Sequence, residues 1–186
     1  MAHVALFHSM LGLRPVERLA AERLRQAGHL VTTPDPYDGR TASDMGDGFS
    51  LMNDIGWPAI TRRARDAMLG MPAEAVLMGF SMGVGVVGTL WPQRRETAAV
   101  VLIHALCPLP VNARQGLRLQ VHAGEADTFA PPTEAVALLT AATEAGVRAQ
   151  MFAYPDAGHF YTDASLPDYN ADATELTWRR ILDCLS

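Results

Sequence analysis

The sequence contains only two cysteines, Cys107 and Cys184, among its 186 residues. Two such thiols cannot form the cross-linked framework of a small secreted protein, and neither belongs to a Cys-x-x-Cys pair that would hold zinc. The histidines do not form close ligand pairs with an acidic partner either, so we predict no metal site and no cofactor. Because this cysteine usage is typical of a reducing compartment, we expect a cytoplasmic protein.

Long apolar runs and excess basic charge are also missing. The longest runs, His3–Phe7, Ala75–Met78 and Ala98–Ile103, fall far short of the roughly 20 residues that span a bilayer. The N-terminal residues lack the basic region and cleavage site of a signal peptide. The net charge of −5 and the sequence pI of about 5.6 leave no broad basic surface for nucleic acid or anionic membrane. We therefore expect a small-molecule substrate, without a nucleic-acid or membrane partner, and a monomer or homodimer.

Short apolar segments alternate with longer amphipathic ones along the whole chain. Strands are predicted at His3–Phe7, Leu30–Thr33, Ala75–Phe80, Ala98–Ile103, Leu117–Ala123 and Val147–Tyr154. Helices are predicted at Pro15–Ala27, Trp57–Leu69, Met82–Leu90, Pro131–Ala145 and Ala171–Leu185. The polar segment Tyr37–Gly56 is predicted as loop with some helix.

Continuous apolar strands are typical of a parallel sheet that is buried on both faces. We therefore predict one α/β domain over residues 1–186, with about six mostly parallel strands and helices on both faces. These elements use almost the whole chain, so no lid domain is expected and the site should be shallow. Ligands of such sheets bind beyond the carboxyl ends of the strands, so the residues directly after each strand are the candidates for catalysis and binding.

Gly79-Phe80-Ser81-Met82-Gly83 follows the third predicted strand and fits the Gly-x-Ser-x-Gly nucleophile elbow. The motif needs a strained turn that exposes the serine, and glycines where the strand and helix backbones crowd. The alternative is a glycine-rich turn with a buried serine. The overlapping Gly83–Gly88 reads Gly-x-Gly-x-x-Gly, but it starts beyond the strand, and the next strand ends without the acid that binds ribose. We interpret these glycines as allowing close packing of the helix on the sheet.

A serine nucleophile needs a base and an acid that orients the base. Asp127 follows the fifth strand and His159 the sixth, in the chain order Ser, Asp, His expected for this scaffold. Alternatively, Asp127 caps the next helix and His159 is an exposed loop residue; Glu125 and Asp156 are nearby acids at less favourable positions. The backbone N–H groups of Met10 and Met82 are the candidate oxyanion donors.

With these residues in place, the chain resembles the dienelactone hydrolase family of α/β-hydrolases over nearly its whole length. The stretches that carry the resemblance are Val4–His8 with Gly12-Leu13, Pro34–Gly39, the elbow, Asp127–Pro131, Gly158-His159 and Asp168–Arg180. The resemblance implies a compact α/β-hydrolase fold. It also implies a triad of Ser81, Asp127 and His159, with Met10 and Met82 as oxyanion donors.

Three departures from the well-studied family members concern the nucleophile and its surroundings. Ser81 replaces their cysteine, and Ser9 replaces the glutamate that partners that cysteine. The arginine that holds a substrate carboxylate after the histidine is absent, and Asp163 stands close to its place. We therefore expect a small uncharged ester, contacted by Ser9, Leu11, His104, Phe160 and Tyr161.

The sequence thus predicts a serine esterase that works through an acyl-enzyme on Ser81. A thioesterase or acyltransferase would use the same triad. A ligand-binding protein of this fold could also retain it without catalysis. Of the remaining candidates, His8 and His122 are predicted to be core or rim histidines, and Cys107 a buried small residue.

Overall fold

The computed structural model describes residues 1–186. Its strands are β1 (His3–Phe7), β2 (Leu30–Thr32), β3 (Val76–Phe80), β4 (Ala99–Ile103), β5 (Arg118–Gly124) and β6 (Arg148–Tyr154). Its helices are α1 (Pro15–Gln26), α2 (Met45–Ile55), α3 (Trp57–Ala67), α4 (Met82–Leu90), α5 (Pro132–Glu144) and α6 (Ala171–Leu185), with a short 3₁₀ turn at Trp91–Gln93. No helix combines the length and apolar character that crossing a bilayer would require.

All six strands lie in one parallel sheet, in the order β2-β1-β3-β4-β5-β6. The predicted α/β architecture is therefore confirmed. After β1 the chain adds β2 on one side of that strand and then β3 on its other side. The loops after β1 and β3 therefore lead to opposite sides and leave a crevice at the carboxyl ends of these strands. Ligands bind at such a crevice in open α/β sheets.

Alternating side chains divide the core into two layers, one on each face of the sheet. Val4 and Leu6 of β1 belong to a layer that α1 and α6 cover, whereas Ala5 and Phe7 belong to the larger layer under α3, α4 and α5. Strands β3 and β4 are buried along their whole length. The buried centre of the sheet thus supports the turn at Ser81, which follows β3.

The two outer strands differ from the prediction that every strand is buried on both faces. Strand β2 is largely exposed, and β6 exposes several of its side chains. Both are edge strands, so each has only one neighbour and the helices cover it incompletely. The edge position explains why their apolar runs do not translate into burial.

Candidate active site

Ser81 occupies the sharp turn between β3 and α4. Its φ of 49° and ψ of −110° lie in a region that non-glycine residues rarely adopt, at a cost on the order of 1–3 kcal/mol. The Ser81 N–H donates to the Ile103 carbonyl at 2.7 Å, and the Ser81 carbonyl accepts from the Val84 N–H at 2.8 Å. These backbone bonds hold the strained turn, and the central strands β3 and β4 supply its support.

The glycines of the elbow are required by contacts between backbones. A Cβ on Gly79 would collide with the Gly83 carbonyl, and a Cβ on Gly83 would collide with the carbonyls of Phe7 and His8. Helix α4 therefore begins directly against the end of β1.

The glycines that follow in α4 have packing partners of a different kind. A Cβ on Gly85 would lie 3.0 Å from the Trp57 ring, and one on Gly88 would lie 3.0 Å from the Cys107 Cβ. Within Gly83–Gly88, only Gly83 packs on the sheet, as the interpretation of close packing expected. Gly85 packs instead on α3, and Gly88 packs on the loop after β4.

Ser81, His159 and Asp127 form one hydrogen-bonded series. The Ser81 Oγ lies 2.9 Å from His159 Nε2, and His159 Nδ1 lies 2.8 Å from Asp127 Oδ2. The carboxylate can only accept, so Nδ1 carries the proton and Nε2 is free to accept from the serine hydroxyl. The three predicted triad residues thus meet, although they come from three separate loops at the carboxyl edge of the sheet.

The loop after β5 places the Asp127 side chain against His159 and not at the N-terminus of helix α5. Asp127 Oδ1 accepts from the Phe129 N–H at 2.9 Å, and the side chain is almost fully buried. Helix α5 begins after Pro131, with no side-chain cap. The alternative of Asp127 as a helix cap is therefore wrong.

The His159 loop is fixed by contacts with the segment before α6. The Phe160 N–H donates to Asp168 Oδ2 at 2.8 Å, and a Cβ on Gly158 would collide with the Asp168 side chain. Two aromatic rings flank the imidazole: the Phe129 and Phe160 centroids each lie 4.5 Å from that of His159. The side chain of His159 is only 9% exposed, so it is not a free loop histidine.

Phe129 was missed as a site residue by the sequence analysis. It is an apolar residue in a polar strand-end loop, two positions after Asp127, and 38% of it is exposed beside the histidine. An exposed aromatic residue at the carboxyl edge of a parallel sheet is the signal that could have identified it.

The loop after β1 carries Met10, the predicted oxyanion donor. The Met10 N–H donates to no group of the protein, and Met82 is the first residue of α4, where amides lack partners within the helix. Gly12 closes the loop at φ +89°, and its N–H donates to the Ser9 carbonyl at 3.1 Å. The N–H groups of Met10 and Met82 thus both lack a partner within the protein.

The residues predicted to contact substrate are all buried, and most of them make packing contacts or hydrogen bonds within the protein, so their contact with a substrate stays a prediction. Leu11 lies under α2, where a Cβ on Gly48 would approach it to 2.9 Å. The Tyr161 hydroxyl bonds to Thr177 Oγ1 at 2.7 Å, and His104 Nε2 bonds to Thr162 Oγ1 at 2.8 Å. Ser9 Oγ accepts from the Leu11 N–H at 3.3 Å, inside its own loop. Of the five, Phe160 and His104 lie beside the His159 ring, with centroids 4.5 Å and 5.7 Å from it.

Burial also sets the titration of the surrounding groups. It lowers the pKa of His104 well below its ordinary value and that of His122 to about 3. His122 is bonded to the Tyr154 hydroxyl at 2.8 Å and to Gln120 Oε1 at 3.2 Å, as a neutral core histidine would be. Burial raises the pKa of the Cys107 thiol to about 12, so this cysteine is an inert core residue, as predicted.

The negative charge of Asp163, which the sequence places near the site, is neutralised by an ion pair. Asp163 Oδ2 lies 3.2 Å from an Arg14 guanidinium nitrogen, and its other oxygen accepts from Ser165. Arg14 is thereby committed to an ion pair between α1 and the His159 loop.

Four surface cavities, of about 290 to 690 Å³, are lined by none of the residues Ser81, Asp127 and His159. No three His, Cys, Asp or Glu side chains come together as a metal site would require.

Comparison with solved structures places the fold among α/β-hydrolases. A dienelactone hydrolase-like promiscuous phosphotriesterase from metagenomic libraries is 22% identical, with a TM-score of 0.79 over 98% of this chain and 84% of the other. An esterase from Pyrobaculum calidifontis is 15% identical, with a TM-score of 0.65 over 98% and 75%. A phospholipase/carboxylesterase from Dyadobacter fermentans is 14% identical, with a TM-score of 0.61 over 97% and 90%.

The family assignment comes from the sequence itself. Among curated proteins, none matches this sequence. The characteristic pattern of the dienelactone hydrolase family, however, matches residues 2–186, which include the elbow, the acid and the histidine. The chain therefore belongs to the dienelactone hydrolase family and is a hydrolytic enzyme.

Proposed function

We propose that this protein is a serine esterase that cleaves small, uncharged carboxylic esters through an acyl-enzyme on Ser81. The observation that carries the proposal is the continuous hydrogen-bonded series from Ser81 through His159 to Asp127. A strained, backbone-anchored serine beside a neutral imidazole nitrogen meets the requirements of an activated nucleophile.

In the first half-reaction His159 Nε2 takes the Ser81 proton as the serine oxygen attacks the ester carbonyl. The unpaired N–H groups of Met10 and Met82 would hold the developing oxyanion. Asp127 keeps the imidazole in the correct tautomer and stabilises the imidazolium. The imidazolium then protonates the leaving alcohol, and the acyl group remains on Ser81.

In the second half-reaction His159 removes a proton from a water molecule, which attacks the carbonyl of the acyl-enzyme. The bond between the acyl group and Ser81 Oγ then breaks, the imidazolium returns the proton to Ser81 Oγ, and the acid is released. A shallow crevice, as expected from the sequence, would let water reach this intermediate and favour small acyl groups. The pairing of Arg14 with Asp163 supports an uncharged substrate, because this arginine is not available to a substrate carboxylate.

Ser81→Ala tests the proposal. We expect wild-type protein to hydrolyse p-nitrophenyl acetate and the variant to lose at least about 10³-fold in kcat, since the nucleophile is gone. Ser50→Ala, which removes an exposed serine hydroxyl on α2, is the matched control and should retain full activity. Equal activity of wild type and Ser81→Ala would refute the mechanism.

A fluorophosphonate probe and a second substrate address the alternatives. Covalent labelling of Ser81 in the folded chain supports catalysis, whereas a folded but unlabelled chain without esterase activity points to a ligand-binding protein. Comparing short oxygen esters with acyl thioesters by kcat/KM then decides which bond is preferred, and a large preference for the thioester would overturn the ester assignment.

A further inference from the structure

The peptide between Ser9 and Met10 is held from its carbonyl side by a buried histidine. Nδ1 of His8 lies 2.6 Å from the Ser9 carbonyl oxygen, and this carbonyl also accepts from the Gly12 N–H at 3.1 Å. A carbonyl oxygen can only accept, so Nδ1 of His8 carries a proton and donates it.

The opposite edge of the same peptide carries the Met10 N–H. The bond is trans, so its N–H points away from its C=O. The Met10 N–H has no partner in the protein, and the loop leaves β1 where Gly83 at the start of α4 touches the Phe7 carbonyl. A group that fixes the Ser9 carbonyl therefore fixes the direction of the amide next to the nucleophile.

The ring of His8 is itself immobilised. It is fully buried, its Nε2 lies 3.5 Å from Asp35 Oδ1, and the Tyr37 ring meets it edge-on with centroids 4.7 Å apart. Asp35 is held in turn by the N–H groups of Tyr37 at 3.0 Å and Gly39 at 2.8 Å. Nε2 makes no hydrogen bond, so the packing of Tyr37 and the proximity of Asp35 hold the ring of His8 from the loop after β2.

A buried carboxylate secures the chain on either side of the peptide. Glu17, at the start of α1, accepts from the Ser9 N–H at 3.2 Å and from the Arg14 N–H at 2.9 Å. Because both ends of the loop are anchored in this way, a change at His8 acts on the peptide orientation rather than on the whole loop.

We infer that His8, oriented by Asp35, is a positioning residue for the oxyanion site: its Nδ1–H bond to the Ser9 carbonyl aims and polarises the Met10 N–H. The inference rests on the proposed esterase function. Hydrogen bonds in series strengthen one another, so a donor to the carbonyl makes the amide on the same peptide a better donor. His8 touches no substrate and transfers no proton, so its effect appears in transition-state binding only.

Two substitutions at His8 separate this role from a purely structural one. Asn places an amide nitrogen near the position of Nδ1 and can keep the bond, whereas Leu removes it. For His8→Leu we expect about a 10- to 100-fold loss of kcat on p-nitrophenyl acetate, below the effect of deleting a donor outright, with KM within about threefold. For His8→Asn we expect kcat within about threefold of wild type.

A small alkylboronic acid provides the second readout, because its tetrahedral adduct with Ser81 places an oxygen in the oxyanion site. Its affinity should fall with kcat in His8→Leu and recover in His8→Asn. The matched control is His122→Leu, which removes another fully buried histidine bonded to Tyr154 and Gln120, away from the triad. This control should lose stability but keep kcat at temperatures where it is folded.

The inference is overturned if His8→Leu retains wild-type kcat, if Leu and Asn lower kcat equally, or if kcat falls while boronate affinity does not. Should His8→Leu fail to fold, the proton on Nδ1 of His8 in the unmutated chain is followed by NMR. Its resonance should move when the boronic acid binds, and a resonance that stays still refutes the inference. An inactive wild type whose Ser81 is unlabelled would instead refute the esterase proposal.

Discussion

The protein contains two histidine–aspartate pairs, which differ in what the second ring nitrogen meets. In the His159–Asp127 pair the carboxylate holds Nδ1 at 2.8 Å, and Nε2 faces the Ser81 hydroxyl. In the His8–Asp35 pair the carboxylate stands 3.5 Å from Nε2, and Nδ1 faces a backbone carbonyl. In the first pair the second ring nitrogen thus faces a hydroxyl, which can donate a proton. In the second pair it faces a carbonyl oxygen, which can only accept one.

The comparison shows that an acid beside a histidine does not by itself make a general base. His159 can take a proton, because its free nitrogen points to a hydroxyl at the rim of the site. His8 cannot exchange its Nδ1 proton without losing the bond to the Ser9 carbonyl, so it acts as a fixed donor. Each pair can be altered separately to test this difference.

The largest effect is expected from Asp127→Asn. The amide can donate to Nδ1 of His159, which drives the proton to Nε2 and leaves no acceptor for the serine hydroxyl. We expect kcat on p-nitrophenyl acetate to fall by about 10³- to 10⁴-fold with little change in KM. Glu125→Gln, an exposed acid in the same loop, is the control; a similar loss there would assign the effect to loop charge instead.

A smaller effect is expected from Phe129→Ala. The Phe129 ring lies against the His159 imidazole, so its loss loosens the base without removing it. We expect kcat/KM to fall about three- to tenfold. Phe49→Ala removes a ring of the same 38% exposure on α2 and should leave kcat/KM unchanged. Equal kcat/KM for Phe129→Ala and wild type would show that Asp127 alone orients the histidine.

The smallest effect is expected from Asp35→Asn, on stability as a function of pH. Interaction with the His8 ring holds the pKa of Asp35 below its ordinary value. Its contribution is therefore present above the unfolded pKa of about 3.9 and is lost as the pH falls through the lower folded value. Urea unfolding should show the variant less stable than wild type at pH 7, with the difference narrowing as the pH falls below about 3.9. Asp38→Asn, in the same turn but exposed, should show no such convergence.

Much of the fold could be predicted because its signals are local. The bounds of β1, α4 and α6 agree with the prediction, since each begins or ends at a sharp change of polarity or at a turn residue. The exposure of β2 and β6 could not be predicted, because it depends on their edge positions in the sheet. The residues of a single strand do not determine the order of the strands. Helix α2 was predicted only as some helix within a loop, although Met45, Phe49, Met52 and Ile55 recur at helical spacing after the N-cap Asp44. Its two glycines, and the polar segment before it, are typical of a loop and outweighed that signal.

The residues of the site also differ in whether local sequence signals identify them. Ser81, Asp127 and His159 could be selected because motif, chain order and strand ends all point to them. The substrate contacts could not, because which side of a loop faces the crevice depends on packing from distant segments. Leu11 is covered by α2 and Tyr161 is bonded to α6, and neither partner is visible from the sequence around them.

The all-parallel sheet has a consequence for how the enzyme becomes active. Ser81 and His159 are 78 positions apart, and every neighbouring strand pair is joined by a crossover rather than a hairpin. Such long-range closures are slow steps in folding. During synthesis the nucleophile elbow can form well before the ribosome has released β6 and the loop that carries the base. The contact between Ser81 and His159 therefore forms late, and any activity that depends on this contact requires β6 and the loop after it to be in place.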